Sequence, residues 1–204
     1  MRGMVCRDNL FPDCLQAEYQ TVLPAAGAIL TTEKMIQEMN MNEPVTIYYL
    51  QMTEPEALCP SSPKIEIDIR ECSIRQYQYN KFLYQFIGEK WLWTDKLALS
   101  DEEWQDYVAS DNLRTWVAYK DGAIAGYFEL LREGDEVEII YFGLAEQFIG
   151  KGCGGYLLTE AIRKAWSWEG VRRVWVHTCT LDHPGALRNY QARGMRIYKE
   201  EINS

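Results

Sequence analysis

Histidine is nearly absent: His177 and His183 are the only two in 204 residues. That leaves a His-based metal site without ligands. The six cysteines (Cys6, Cys14, Cys59, Cys72, Cys153 and Cys179) include no CxxC pair and suit neither a zinc knuckle nor a compact disulfide scaffold. No metal is expected. Cations are outnumbered, 21 Lys and Arg against 30 Asp and Glu, for a net charge of −9. The basic footprint that general nucleic-acid binding requires is therefore missing, and an acidic surface favours cationic small molecules or basic peptides instead. Long apolar runs are also lacking. The longest weakly polar stretch, Val22 to Leu30, falls far short of the roughly 20 residues a membrane span needs. No apolar segment with a small-residue cleavage site follows the N-terminus. Neither nucleic acid nor membrane is expected as a partner, and free thiols without an export signal read as cytoplasmic.

What is present is an ordinary globular composition, 47% hydrophobic and 25% charged. Residues 1–43 read as an N-terminal extension, broken by Pro12, Pro24 and a run of small residues, with a short helix over Thr32–Met39. From residue 44 to 204 the signals sharpen into one domain. Val45–Met52 is β-branched and aromatic, a strand, and Ile65, Ile67 and Ile69 alternate with charges as a second. Tyr79, Phe82, Leu83 and Phe86 recur at helical spacing within Ile74–Gly88, and Ser100 with Glu103 forms a capping box that opens another helix. Thr115–Tyr119, Ala123–Leu131 and Val137–Leu144 follow as strands joined by tight turns, so they pair antiparallel. A helix from Gly154 to about Trp168, a strand at Val174–His177, a helix at Pro184–Arg193 and a strand at Arg196–Ile202 complete the chain. An antiparallel block running into a βαβ unit makes the fold α+β.

Gly150, Gly152, Gly154 and Gly155 fall within six residues, between a strand and an amphipathic helix. Glycines there let the backbone curl and turn successive N–H groups, with the unpaired donors of the helix N-terminus, toward one point. The natural ligand is a phosphate or diphosphate; a purely structural strand-to-helix turn is the other reading. Lys151 sits inside the turn, and no Ser or Thr follows to hold Mg²⁺, which disfavours nucleoside triphosphate hydrolysis.

The run Leu144 to Leu158 resembles the acetyl-coenzyme A loop of the GNAT superfamily of N-acetyltransferases, whose signature is Gln or Arg, two residues, Gly, one residue, then Gly or Ala. Gln147–Gly152 matches literally. Ile149–Gly154 departs at its first position but sets Leu157-Leu158 where the family's helix carries its apolar pair, and is preferred. Downstream, His183 to Met195 is similar to the family's Asn-x-x-Ala-x-x-x-Tyr-x-x-x-Gly-Phe segment: Ala186, Tyr190 and Gly194 hold their places, while His183 replaces Asn and Met195 replaces Phe. The resemblance implies a mostly antiparallel central sheet with helices on both faces. It also implies direct attack by a primary amine, of a small molecule or peptide, on acetyl-coenzyme A in a ternary complex. The family's closing hairpin is shortened, because only ten residues follow Gly194, so the last strand is expected to lack a partner from its own chain and to leave room for a homodimer.

Acetyl transfer to an amine requires a base, because a Lys-type amine of pKa about 10.4 is mostly cationic at pH 7 and reaching the neutral form costs about 4–5 kcal/mol. It also requires a proton for the departing thiolate. Tyr190 is the candidate acid, the role its counterpart has in the family. Glu138 and His177 are candidate bases; Glu138 is read on one strand face with Ile140 and Phe142. Glu129, the other carboxylate on a central strand, joins Trp91, Trp93 and Asp95 as an acceptor contact, since aromatic faces and carboxylates suit a cation. The resemblance further implies that Phe142, Gly143 and Leu144 pair by backbone with the pantetheine arm. It assigns Ile149, Gly150, Lys151, Gly152, Cys153, Gly154, Gly155, Tyr156, His183 and Asn189 to the cofactor, with Cys153 as a small filler rather than a nucleophile. A non-catalytic acyl-coenzyme A-binding module and a protein-interaction domain with a structural glycine turn are the alternatives.

Overall fold

The computed structural model describes residues 44–203. The extension over residues 1–43 and the helix expected at Thr32–Met39 lie outside them. Seven strands form one sheet: β1 (Val45–Met52), β2 (Asp68–Glu71), β3 (Leu113–Lys120), β4 (Ala123–Glu133), β5 (Glu136–Leu144), β6 (Arg173–Cys179) and β7 (Arg196–Asn203). Their order is β2-β3-β4-β5-β6-β1-β7, and every pair is antiparallel except β5 with β6. Helices α1 (Tyr77–Gly88) and α2 (Asp101–Ala109) connect β2 to β3, α3 (Gly154–Trp166) connects β5 to β6, and α4 (Ala186–Ala192) connects β6 to β7. Helices lie on both faces, with α1 and α2 on one and α3 and α4 on the other.

Local chemistry explains the clearest elements. The Ser100 hydroxyl accepts from the Glu103 N–H while the Glu103 carboxylate accepts from the Ser100 N–H, closing the capping box that starts α2. Asp121 and Gly122 both take positive φ, 48° and 82°, the geometry that a two-residue hairpin between Lys120 and Ala123 requires.

Four expectations are corrected. Pairing of β2 begins at Asp68 rather than near Ile65, because Ile67 turns into the core just before the ladder starts. Helix α1 buries Asn80, Leu83, Tyr84 and Ile87, whereas Phe82 and Phe86 are 46% exposed. The polar ends of Asn80 and Tyr84 find partners inside, so hydrophobic spacing alone misplaced the buried stripe. The last strand does not lack a partner in its own chain: β7 pairs with β1, which sits between β6 and β7 where the resemblance placed a C-terminal hairpin. β1 suits that interior slot, since Ile47, Leu50 and Met52 are buried, while β7 carries Arg196, Lys199, Glu200 and Glu201 at the sheet edge, a common guard against edge pairing.

The fourth correction concerns Glu138. Tyr141 faces Glu129 and Ile139 faces Leu130, leaving Ile140 as an extra residue in β5. This bulge shifts the alternation by one. Phe142 and Ile139 share a face through Phe128 and Leu130, while Glu138, opposite Leu131, falls on the other face with Tyr141. Glu138 therefore looks toward the side of α1 and α2, away from the face of Phe142.

Candidate active site

The parallel pairing of β5 and β6 covers only Glu136–Glu138 with Arg173–Trp175, although β5 continues to Leu144 and β6 to Cys179. Beyond Glu138 the strands part. From Ile139 to Leu144 one backbone edge of β5 has no strand partner among the described residues, a bare ladder able to receive an amide-bearing chain.

The glycine turn lies at the wide end of this opening. Phe148 N–H donates to the Ala145 carbonyl at 2.8 Å and Lys151 N–H to the Phe148 carbonyl at 3.3 Å, which fixes the turn from its near side. Gly150 and Gly152 take φ of 77° and 82°, conformations that a side chain would strain. Among the described residues, the N–H groups of Gly150, Gly152, Cys153, Gly154, Gly155 and Tyr156 donate to no carbonyl. The last three belong to the first turn of α3, where the helix dipole favours an anion. Cys153 is buried with its thiol on the Phe148 carbonyl, and burial pushes that thiol up, so it acts as filler in the turn. Asn189 Nδ2 donates to the Gly154 carbonyl at 3.4 Å and ties α4 to the start of α3. His183 accepts the Gly185 N–H on Nδ1 at 2.9 Å and meets Trp91 edge to face at 5.4 Å, joining the loop after α1 to the loop before α4. A cleft of about 320 Å³ lies between the end of α1 and the turn, lined among others by Phe86, Ile87, Trp91, Leu144 and Ile149.

At the narrow end, Glu138 and His177 come together: Glu138 Oε1 is 3.1 Å from His177 Nδ1, and both are largely buried. His177 Nε2 is buried with no hydrogen-bond partner. The ring lies between Trp175 and Tyr49, at centroid distances of 6.1 and 5.7 Å, and Tyr49 is itself held by its hydroxyl on Glu201 at 2.6 Å.

Tyr190 is 1% exposed on α4, its ring 6.2 Å from that of Phe142. Burial first, and the nearby Asp182 charge second, hold its phenol well above the ordinary tyrosine range, so it stays protonated at neutral pH. Asp182 accepts from Thr178 and from the Cys179 N–H on Oδ2, while Oδ1 is buried without a partner. Burial pushes the Asp182 carboxyl up, and the Thr178 hydrogen bond pulls it only partly back. The folded state thus holds this proton more tightly than the unfolded chain does. The stability tied to the neutral acid is present at low pH and lost as pH rises through the folded pKa. Asp182→Asn should therefore raise the melting temperature more at pH 8 than at pH 4 in paired thermal scans; a larger gain at pH 4 would contradict this assignment.

The acceptor residues divide. Trp91 is half-buried at the cleft. Asp95 is half-buried and receives the hydroxyls of Tyr84 and Tyr141. Trp93 is only 3% exposed, packed among Tyr84, Tyr127 and Tyr141 as a core residue. Glu129 is fully buried, bonded by Asn80 Nδ2 at 2.7 Å and by the Tyr107 hydroxyl, with the Lys96 ammonium 3.8 Å away. That ammonium lies 3.7 Å from the Tyr107 ring centroid, 4.4 Å from Tyr141 and 4.8 Å from Trp104. An aromatic and carboxylate cage exists, but of the expected residues only Glu129 belongs to it; its walls are Tyr84, Trp104, Tyr107 and Tyr141, and the chain's own Lys96 fills it.

Sequence reasoning did not find Lys96, Tyr49, Asp182, Ser61, Lys64 or Arg193. Lys96 had a signal, a cation among clustered aromatics next to Asp95. The rest reach the site only through long-range pairing. Among the described residues no group of three His, Cys, Asp or Glu side chains is arranged to hold a metal, and no helix is long and apolar enough to cross a membrane.

The chain matches the model of the Acetyltransferase (GNAT) family over residues 80–195, more than half its length. Among solved structures it is similar to a GCN5-related N-acetyltransferase from Sphaerobacter thermophilus, with 16% identity, a TM-score of 0.59, and 84% of this chain and 55% of that chain covered. It is also similar to a GCN5-related N-acetyltransferase from Kribbella flavida, at 15% identity, TM-score 0.54, and coverage of 82% and 62%. An IAA acetyltransferase from Bacillus cereus matches at 25% identity, TM-score 0.50, and coverage of 66% and 79%. The chain thus spans little more than half the length of the Sphaerobacter protein. Comparison with curated proteins finds no match.

Proposed function

Because the chain belongs to the GNAT acetyltransferase family, we propose that it moves an acetyl group from acetyl-coenzyme A to a primary amine by direct attack in a ternary complex. The observation that carries this reading is the parting of β5 from β6 below a turn in which, among the described residues, the N–H groups of Gly150 and of Gly152 to Tyr156 donate to no carbonyl. A diphosphate fits the donors of Gly150–Tyr156, and an amide-bearing arm fits the bare edge of β5 beside Phe142, Gly143 and Leu144.

Acetyl-coenzyme A, when bound, supplies an activated acetyl thioester. The chain's residues supply the rest. The turn and the α3 N-terminus hold the phosphates, and the β5 edge aligns the arm toward the narrow end. His177, oriented by Glu138 on Nδ1, takes the acceptor's proton on Nε2. Tyr190, kept protonated by its buried site, gives a hydrogen bond and then a proton to the departing sulfur. The acidic chain and the half-buried Asp95 favour a cationic acceptor, a small molecule or a peptide amine.

A non-catalytic acyl-coenzyme A-binding module is the competing reading. The Glu138–His177 pair favours the catalytic reading, because it sets a carboxylate 3.1 Å from an imidazole at the point where β5 and β6 part. A panel of amines screened for free-thiol release from acetyl-coenzyme A decides between them. Amine-dependent release is expected, with coenzyme A binding measured alongside by calorimetry. Binding without release for any amine class would leave the binding module; no binding at all would overturn both.

A further inference from the structure

We propose that the segment joining β1 to β2 is a strap across the glycine turn, and that its Lys64, with Arg193 at the end of α4, forms a cationic clamp on the diphosphate of a coenzyme A thioester. This rests on the cofactor reading above and extends it to Lys64, which no sequence motif contains, and to Arg193, at an unspecified position of the His183–Met195 segment.

After β1 the chain runs from the end of α4 to the start of α3, pinned at successive points. The Ala57 carbonyl lies against Gly194, where φ of 93° and the close approach both exclude a side chain. Cys59 N–H donates to the Arg193 carbonyl at 3.1 Å, and Ser61 N–H donates to the Thr159 hydroxyl at 3.0 Å. Thr159 in turn donates to the Gly155 carbonyl at 2.8 Å, so the strap is tied to the first turn of α3 itself. Three residues after Ser61, the Lys64 side chain lies on Gly152.

Glycine at Gly152 is demanded both by its positive φ and by what lies above it, and Gly155 leaves room for a second side chain. A Cβ at Gly152 would run into the side-chain carbons of Lys64, and one at Gly155 into the Arg193 guanidinium, with Ser61 Oγ at 3.0 Å. Two cations from distant parts of the chain are thus laid on the turn that already contains Lys151. Among the described residues neither Lys64 nor Arg193 forms an ion pair; Arg193 only turns Nε back to the Ala192 carbonyl at 3.0 Å.

The charge balance gives this arrangement a purpose. A chain of net charge −9 repels a polyanion at long range, so binding one calls for local positive charge. Backbone N–H groups supply only partial charges, whereas an ammonium and a planar guanidinium add charge-assisted hydrogen bonds to phosphate oxygens. Because the strap is fixed by the Cys59 and Ser61 bonds, Lys64 is delivered without ordering a loop on binding.

Calorimetric titration of the full chain with coenzyme A and with pantetheine, which lacks the diphosphate, tests the clamp at low and high salt. Lys64→Ala combined with Arg193→Ala should weaken coenzyme A binding by about tenfold or more, leave pantetheine binding unchanged and flatten the salt dependence. Lys64→Gln alone, at an exposed position that cannot compromise folding, should give a smaller loss of the same kind. Unchanged or tighter coenzyme A binding in these variants would overturn the clamp, tighter binding marking the strap as an obstruction. Absence of binding by the unaltered chain would instead overturn the cofactor reading beneath it.

Discussion

Tyr190→Phe should lower turnover roughly tenfold to a hundredfold while leaving the dissociation constant for acetyl-coenzyme A nearly unchanged. The size follows from two opposed consequences of burial. A phenol held well above its ordinary range is fully protonated at neutral pH, so the donor is present in every enzyme molecule. The same elevation makes it a weaker acid toward a thiolate of pKa about 8.5. Much of its contribution is therefore a hydrogen bond to sulfur as charge develops there, which places the loss at or below the lower bound of the roughly 10²- to 10⁴-fold span for positioned acids and bases. The Phe ring keeps the contact with Phe142 and the packing of α4, so a fall in kcat without a change in affinity separates chemistry from structure. Equal turnover in the variant would remove Tyr190 from the mechanism.

His177→Ala should cut kcat/KM by about a hundredfold or more with the best acceptor while coenzyme A binding, measured by calorimetry, stays unchanged. The pair must offset about 4–5 kcal/mol for neutralising the amine at pH 7. Glu138→Gln probes the second half of the arrangement. Its amide preserves the shape but removes the charge 3.1 Å from His177 Nδ1, so the imidazolium formed on proton uptake loses its counter-ion. The loss is expected to be smaller than for His177→Ala. If both variants kept the turnover of the unaltered chain, the proton would have to leave by another route.

How far these residues could be found in advance depended on how local their determinants are. The Asp121-Gly122 hairpin and the Ser100–Glu103 box are settled within four residues, and both form as their sequences dictate. The glycine turn was legible for the same reason: its conformation and its donors are backbone properties of one short run. Glu138 and His177 were each visible as polar residues on interior strands, but their meeting depends on a parallel pairing only three residues long. The bulge at Ile140 erased the simple alternation that had placed Glu138 with Phe142, because nothing in an unbroken apolar run marks which residue is surplus. Lys96 shows the opposite limit. Of its surroundings only Glu129 had been singled out; the aromatic walls, Tyr84, Trp104, Tyr107 and Tyr141, gather from separate elements, and the cation they hold is the chain's own.

The position of β1 bears on how the molecule is made. Residues 45–52 leave the ribosome before any other strand of the sheet, but their neighbours are Val174–Cys179 and Arg196–Asn203, the last to be synthesised. Throughout translation a β-branched, aromatic octapeptide waits with both edges bare, while β2 to β5 can already assemble by short hairpins and a helical link. Closure of the sheet thus waits for β6 and β7 to emerge, and the strap that follows β1 can settle over the glycine turn only after α3 and Arg193 have been made. Completion of the sheet and covering of the turn are late and coupled events.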